Sequence, residues 1–140
     1  MSRILVIDEN LDSRIATELR ARGRDASSVK ELGLTSSLDE ELLRELASQS
    51  YEWVLVTADD RMPFEHDTAI ARFESTIATI DGEWEKCCKK NDLQLNQQQF
   101  QRETIQRWAH LLSNQSNGSI RRYSPVRNSE WTTRRKYYSR

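Results

Sequence analysis

The chain has 140 residues, of which 36% are hydrophobic and 31% charged, and its formal net charge is -1. This length fits one domain of ordinary size, and no apolar run approaches the roughly 18 residues that cross a membrane. The first residues form a strand pattern rather than a signal peptide, so we expect a cytoplasmic protein with no membrane contact. Cys87 and Cys88 are adjacent, a spacing that suits neither a disulfide nor a zinc site, and we interpret them as incidental thiols.

The charges are distributed unevenly along the chain. Residues 1–96 carry 12 Lys and Arg against 20 Asp and Glu, whereas residues 97–140 carry 9 against 2. An acidic body joined to a basic tail favours an anionic partner such as nucleic acid, an acidic site that needs cations, or both. Charge compensation between the two parts is the simpler alternative.

Hydrophobic patterns predict alternating strands and helices. In the first part of the chain we predict a strand at Ile4–Ile7, a helix at 11–22 capped by Asn10, a weak strand at 25–30, a helix from a capping box at Ser37 and Glu40 to about residue 49, and a strand at Trp53–Thr57. The first and last of these are continuous apolar runs, which is typical of strands buried on both faces.

The second part continues the alternation. We predict a loop at 61–67 containing Pro63, a helix at 68–73, a strand at 75–80, helices at 83–90 and 97–113, and an edge strand at Ile120–Tyr123, with no core pattern after it. This order predicts a three-layer α/β/α domain with a mostly parallel central sheet. We assign residues 1–123 to this domain and residues 124–140 to a basic, aromatic tail.

Carboxylates follow three of the predicted strands directly. Because the carboxyl ends of parallel strands meet at one edge, Asp8, Asp59 and Asp81 should lie close together, with Asp39 or Glu40 brought over them by the next helix. Hard oxygen ligands without His or Cys favour Mg²⁺ or Mn²⁺. We therefore predict a site for phosphodiester hydrolysis by metal-activated water. The candidate metal ligands are Asp8, Asp59, Asp60 and Asp81, and the candidate catalytic residues are Asp8, Asp39, Glu40, Asp59 and Asp81.

Most of these acids also have a purely structural interpretation. Glu40 can close the capping box, and Asp39 can complement the helix dipole. Asp60 can be a turn residue, and Asp81 with Gly82 forms a strong turn dipeptide. Asp8 has the weakest structural alternative, because an acid directly after a fully apolar strand has little structural reason to be there.

The basic tail interleaves cations with aromatic residues. Cations contact phosphates and aromatic rings stack unpaired bases, so this composition suits single-stranded RNA, although an acidic protein surface or a solvated tail would explain it equally well. The candidate nucleic-acid-binding residues are Arg121, Arg122, Arg127, Arg134, Arg135 and Lys136. We expect His66, in a loop after the second acidic strand end, to be merely exposed.

The runs ILVIDENLDSRIATELRARGRD, ELGLTSSLDEELL and WVLVTADDRMPFEH together resemble the PIN-like nucleases, in particular the VapC-type toxin branch. The resemblance covers residues 3–81. It implies a magnesium-dependent endoribonuclease, the toxin of a toxin-antitoxin pair, with acids at Asp8, at Asp39 or Glu40, and at Asp59, and with Asp81 as the candidate fourth.

This resemblance also sets the expected partners, which are an RNA substrate and a cognate antitoxin protein, and it is compatible with a homodimer. The alternative is a non-catalytic scaffold that binds RNA or protein through its basic tail. A phosphatase or a receiver-like phosphoacceptor is a weaker alternative, because a receiver needs a lysine at a downstream strand end and the sequence places none there.

Overall fold

The structure, a computed structural model, describes residues 3–34 and 39–131 of the chain. Its strands are β1 (Ile4–Ile7), β2 (Ala26–Ser28), β3 (Trp53–Thr57), β4 (Ile77–Ile80), β5 (Ile120–Tyr123) and β6 (Asn128–Glu130). Its helices are α1 (Arg14–Ala21), α2 (Asp39–Ala47), α3 (Met62–Glu65), α4 (Asp67–Arg72), α5 (Trp84–Lys90) and α6 (Gln97–Ser113). None of the described helices combines the length and the apolar character that crossing a bilayer would require.

All six strands belong to one sheet, in the order β2-β1-β3-β4-β5-β6. The pairs from β2 to β5 are parallel, with Val6 beside Leu55 and Leu55 beside Ile77, and only β5 and β6 are antiparallel. The chain leaves β1 toward β2 on one side and returns to β3 on the other. In open parallel sheets, ligands bind at the carboxyl ends of the strands where the order reverses in this way, which here lies between β1 and β3.

Two hydrophobic layers cover the sheet, as the alternation of side chains along its strands requires. Leu5, Ile7 and Val56 contribute to one layer with residues of α1, α5 and α6. Val6 and Leu55 contribute to the other with residues of α2, α3 and α4. The predicted three-layer α/β/α architecture with a mostly parallel sheet is confirmed.

The predicted cap of the first helix is wrong. The helix begins at Arg14 after Ser13, and the Asn10 side chain bonds to the end of β3 instead. The predicted loop at 61–67 is also wrong in part, because it contains α3. Pro63 lies in the first turn of α3, where its missing N–H costs no helical hydrogen bond.

The sheet extends beyond its predicted last strand. The sequence places β5 at the edge, but β6 pairs with it, and Trp131, which follows β6, is only 7% exposed. The division of the chain at residue 123 stays a prediction. Two further predictions concern residues outside the described ranges, namely the capping box at Ser37 and the cations Arg134, Arg135 and Lys136.

Candidate functional site

Asp8 lies at the carboxyl end of β1, at the point where the strand order reverses. Its N–H donates to the Val56 carbonyl at 2.9 Å, so the backbone is still held by the sheet at this residue. The residue is 8% exposed, and its Oδ1 accepts the N–H of Glu9 at 2.9 Å. Strand β1 therefore delivers a nearly buried carboxylate to the edge of the sheet.

Burial is the largest influence on this carboxylate, and it raises the pKa of Asp8 above the ordinary value of 3.8. Hydrogen bonds from the Thr57 side chain and the Glu9 N–H act in the opposite direction, because they stabilise the charged form. The negative charges of Asp39 and Glu9 raise the pKa further. A positive charge placed beside Asp8 would relieve both the burial cost and this repulsion.

The ends of β1 and β3 are joined by side-chain hydrogen bonds. Asn10 donates through Nδ2 to the Thr57 hydroxyl at 3.0 Å and accepts the Ala58 N–H at Oδ1, also at 3.0 Å. The Thr57 hydroxyl also accepts the N–H of Asp59 at 3.1 Å. These bonds fix the backbone on both sides of the strand reversal, which keeps Thr57 beside Asp8.

Helix α2 brings Asp39 and Glu40 toward the same edge of the sheet. There the carboxylates of both residues lie close to the His66 ring. The Nε2 atom of His66 lies 3.1 Å from Asp39 Oδ2, and its Nδ1 lies 4.0 Å from Glu40 Oε1. His66 joins α3 to α4, and its side chain is 26% exposed. The expectation of an exposed histidine without a partner is wrong. Nothing in the sequence near His66 indicates this pairing, because its partners lie on a distant helix.

Asp59 and Asp60 are both engaged by backbone N–H groups. Asp59 Oδ1 accepts the Arg61 N–H at 3.0 Å in a turn directly after β3. Asp60 Oδ2 accepts the Gly82 N–H at 3.0 Å and lies 3.6 Å from the Arg122 guanidinium. Asp60 thereby ties the end of β3 to the turn after β4.

Asp81 takes the turn conformation that its sequence context suggested. Its Oδ1 accepts the N–H of Glu83 at 2.9 Å, and its own N–H donates to the Tyr123 carbonyl of β5 at 2.9 Å. These bonds form the turn that leads from β4 to α5. The negative charge of Asp39 acts on the carboxylate of Asp8, whereas the carboxylates of Asp59, Asp60 and Asp81 take part in separate turn contacts. A role for these three as metal ligands stays a prediction.

The carboxyl edge of the sheet offers carboxylate oxygens to a divalent cation but no complete set of protein ligands. Within residues 3–34 and 39–131, no three Asp, Glu, His or Cys side chains are grouped so that they could hold one metal ion. Mg²⁺, however, commonly binds through one or two carboxylates together with water and substrate phosphate. A cation bound at this edge in that way would use the carboxylates of Asp8 and Asp39 as hard oxygen ligands, and its charge would stabilise the ionised form of Asp8, whose pKa is raised. The carboxylate oxygens present at this edge suit a hard divalent cation such as Mg²⁺.

Three of the predicted nucleic-acid-binding arginines, Arg121, Arg122 and Arg127, lie within the described residues. Arg121 donates to the Asn128 side chain on β6, and Arg122 lies beside Asp60. Arg127 is exposed in the turn between β5 and β6. Arg122 and Arg127 therefore stand at the same sheet edge as the acids, while Arg121 links two strands.

The comparison with protein families gives one match. Residues 4–84, more than half of the chain, match the family model described as a PIN like domain. No curated protein and no solved structure matches the chain. The matched segment runs from β1 past Asp81 and so contains the strand reversal and every candidate acid described above. On this match, and with the parallel sheet and acidic edge that accompany it, the chain belongs to the family of PIN-like domains.

Proposed function

We propose that the protein is a metal-dependent endoribonuclease that acts as the toxin of a toxin-antitoxin pair. PIN-like domains are generally nucleases and typically use a divalent metal, which supports the class of reaction. The observation that carries the proposal is the buried Asp8 carboxylate at the strand reversal, with a raised pKa and with Asp39 close to it. A buried, ionised carboxylate lowers the stability of the fold, and groups held in this way occur mainly at functional sites. Binding of a catalytic cation would explain why this protein keeps one.

In this proposal Asp8 and Asp39 hold Mg²⁺ or Mn²⁺, with Asp59 as the next candidate ligand. The cation would neutralise the phosphate and lower the pKa of a water molecule that attacks it. The chain orients the ligands. The Glu9 N–H and the Thr57 side chain hold the Asp8 carboxylate, and His66 holds Asp39 at the start of α2. Partners of this kind fix ligand geometry and increase metal affinity.

The finer parts of the proposal come from the sequence. The DENL run after β1 and the VTAD run at the end of β3 resemble the VapC-type toxins, which suggests an RNA substrate and a small antitoxin protein as the inhibitory partner. The basic residues near the same edge support a polyanionic substrate. Expression of the protein alone should then arrest growth, and the Asp8→Asn variant should not.

The test is RNA cleavage by purified protein with Mg²⁺, with and without a chelator. The parent should cleave, and both the chelator and the Asp8→Asn substitution should reduce the rate at least about 100-fold, since the carboxylate would be a direct ligand. Asp12→Asn is the matched control, because Asp12 is a nearby acid whose carboxylate is paired with Arg14 at 2.6 Å. Cleavage by Asp8→Asn at the parental rate would refute the mechanism.

The second candidate is a non-catalytic PIN-like scaffold that binds RNA or protein through its basic tail. The engagement of Asp59, Asp60 and Asp81 in turns favours this alternative, because it leaves fewer free carboxylates at the edge. Calorimetric titration with Mg²⁺ separates the two. Binding that the Asp8→Asn substitution abolishes supports the enzyme, and the lack of any Asp8-dependent binding supports the scaffold.

A further inference from the structure

A second feature at the carboxyl edge of the sheet is a cleft of about 440 Å³ beside β4 and β5. We call it the cationic cleft. Its charged and polar lining comes from the turn after β4, from α5, from β5 and from the turn before β6. These residues are Asp81, Glu83, Lys86, Lys90, Asn91, Arg122 and Arg127. Four cations face two carboxylates, so the lining carries a net positive charge inside a PIN-like body whose residues 1–96 are acidic overall.

Both carboxylates of the cleft already have a hydrogen-bond or ion-pair partner. Asp81 accepts the N–H of Glu83, and Glu83 lies 3.5 Å from Lys86. Lys90 and Arg127, in contrast, form no ion pair within the described residues, and both are exposed. These two side chains are therefore the ones available to an anionic ligand.

Arg122 has spare donor capacity at the inner end of the cleft. Its Nη2 atom lies 3.6 Å from Asp60, while its Nε is buried and has no hydrogen-bond partner among the described residues. A buried donor without an acceptor is unfavourable, and an oxyanion in the cleft would supply acceptors for this guanidinium.

The cleft and the carboxylates of Asp8 and Asp39 lie at the same edge of the sheet. Strands β1, β3, β4 and β5 are successive neighbours, so three strand spacings of ~4.8 Å place the carboxyl end of β5, which lines the cleft through Arg122, about 14 Å from the carboxyl end of β1. Asp60 connects the two places, because it follows β3 and contacts both Gly82 and Arg122. A distance of this size spans a few nucleotides of a single strand.

We infer that the cationic cleft binds backbone phosphate of single-stranded RNA, a few nucleotides from the bond at the acidic site, with Lys90, Arg122 and Arg127 as the contacting cations. The inference rests on the proposed function for its choice of substrate. The cleft adds affinity and fixes the direction of the strand across the sheet edge, whereas the acidic site alone would repel it. Phosphate contacts of this type position a nucleic acid without reading its sequence.

The test is anisotropy titration of a fluorescently labelled single-stranded oligoribonucleotide in chelator, at several salt concentrations. The double variant Lys90→Gln, Arg127→Gln should bind at least about tenfold more weakly, and the slope of log affinity against log salt should become shallower by about 1.4, since each lost phosphate contact removes about 0.7. Both residues are exposed, so the fold should be retained, and circular dichroism checks this.

The control removes the same charge elsewhere. Lys89 lies on α5 and Arg72 at the end of α4; both are exposed and neither lines the cleft. The variant Lys89→Gln, Arg72→Gln should bind as the parent does. Failure of the parent to bind, parental affinity and slope in the cleft variant, or an equal loss in the control would each overturn the inference. RNA binding that depends on the cleft without any chelator-sensitive cleavage would instead refute the nuclease proposal and leave the cleft assignment standing.

Discussion

Replacing Asp8 by Asn should stabilise the fold at neutral pH even though it removes the proposed activity. Asn has nearly the same shape and can still accept the Glu9 N–H that Asp8 accepts at 2.9 Å. The substitution therefore removes the charge from a residue that is 8% exposed while it keeps this hydrogen bond. Functional groups held at such a cost are a common reason why active-site substitutions increase stability.

The expected gain in the free energy of unfolding is on the order of 1 kcal/mol, which corresponds to about 4 °C in Tm for a domain of this size. Its pH dependence follows from the raised pKa of Asp8. Below the ordinary value of 3.8, the carboxyl group is protonated in both the folded and the unfolded chain, and the parent and the variant should differ little. As pH rises from 3.8 through the higher folded pKa, ionisation favours the unfolded parent, so the advantage of the Asp8→Asn variant grows and then stays constant.

Urea unfolding followed by tryptophan fluorescence, at a series of values from about pH 2 to about pH 8, measures this difference both below the ordinary aspartate pKa and across the range in which a raised aspartate pKa lies. Asp12→Asn is the control of opposite sign. The hydrogen bond from Arg14 lowers the pKa of Asp12 to about 2, so its contribution is present above 3.8 and is lost as pH falls. The proposed effect of burial on the Asp8 pKa would be refuted if the Asp8→Asn variant were less stable than the parent at neutral pH. It would also be refuted if the stability advantage of the variant increased as the pH falls.

Three further substitutions test the surroundings of the site. Asn10→Ala removes both bonds across the strand reversal, including the one to Thr57, and should lower the free energy of unfolding by about 2 kcal/mol in urea. His66→Ala frees Asp39 and should raise the Mg²⁺ concentration for half-maximal cleavage by about tenfold, with little change in Tm. Trp131→Ala removes a large side chain that is only 7% exposed and should lower the free energy of unfolding by about 3 kcal/mol in thermal unfolding; an unchanged Tm would show that the residue packs loosely.

The central sheet was predictable because its strands are continuous apolar runs. A continuous apolar run such as Ile4–Ile7 is typical of a strand covered on both faces. The helix at 97–113 is long enough for the spacing of its apolar residues to show one buried face. Strand β6 has three polar or charged residues and no pattern of its own. It forms because β5 offers it an unpaired edge, which is information that lies elsewhere in the chain.

The candidate site was predictable only in part, for a related reason. Asp8 stood out because its strand leaves it no local structural role. An aspartate that follows a strand can equally bend back to accept a backbone N–H two residues on, and Asp59 and Asp81 both do so. Asn10 shows the reverse case, since a residue suited to cap the next helix bonds across to Thr57. The contacts that decide between such local and distant partners form only in the folded chain.

The two outer strands of the sheet limit how copies of this protein can associate. β2 and β6 have three residues each, and their sequences are Ala-Ser-Ser and Asn-Ser-Glu. A strand this short and polar offers a neighbouring chain few free N–H and C=O groups in register, which is how many proteins avoid edge-to-edge aggregation. Any homodimer should therefore form through helices or surface side chains rather than through a sheet that continues across both copies.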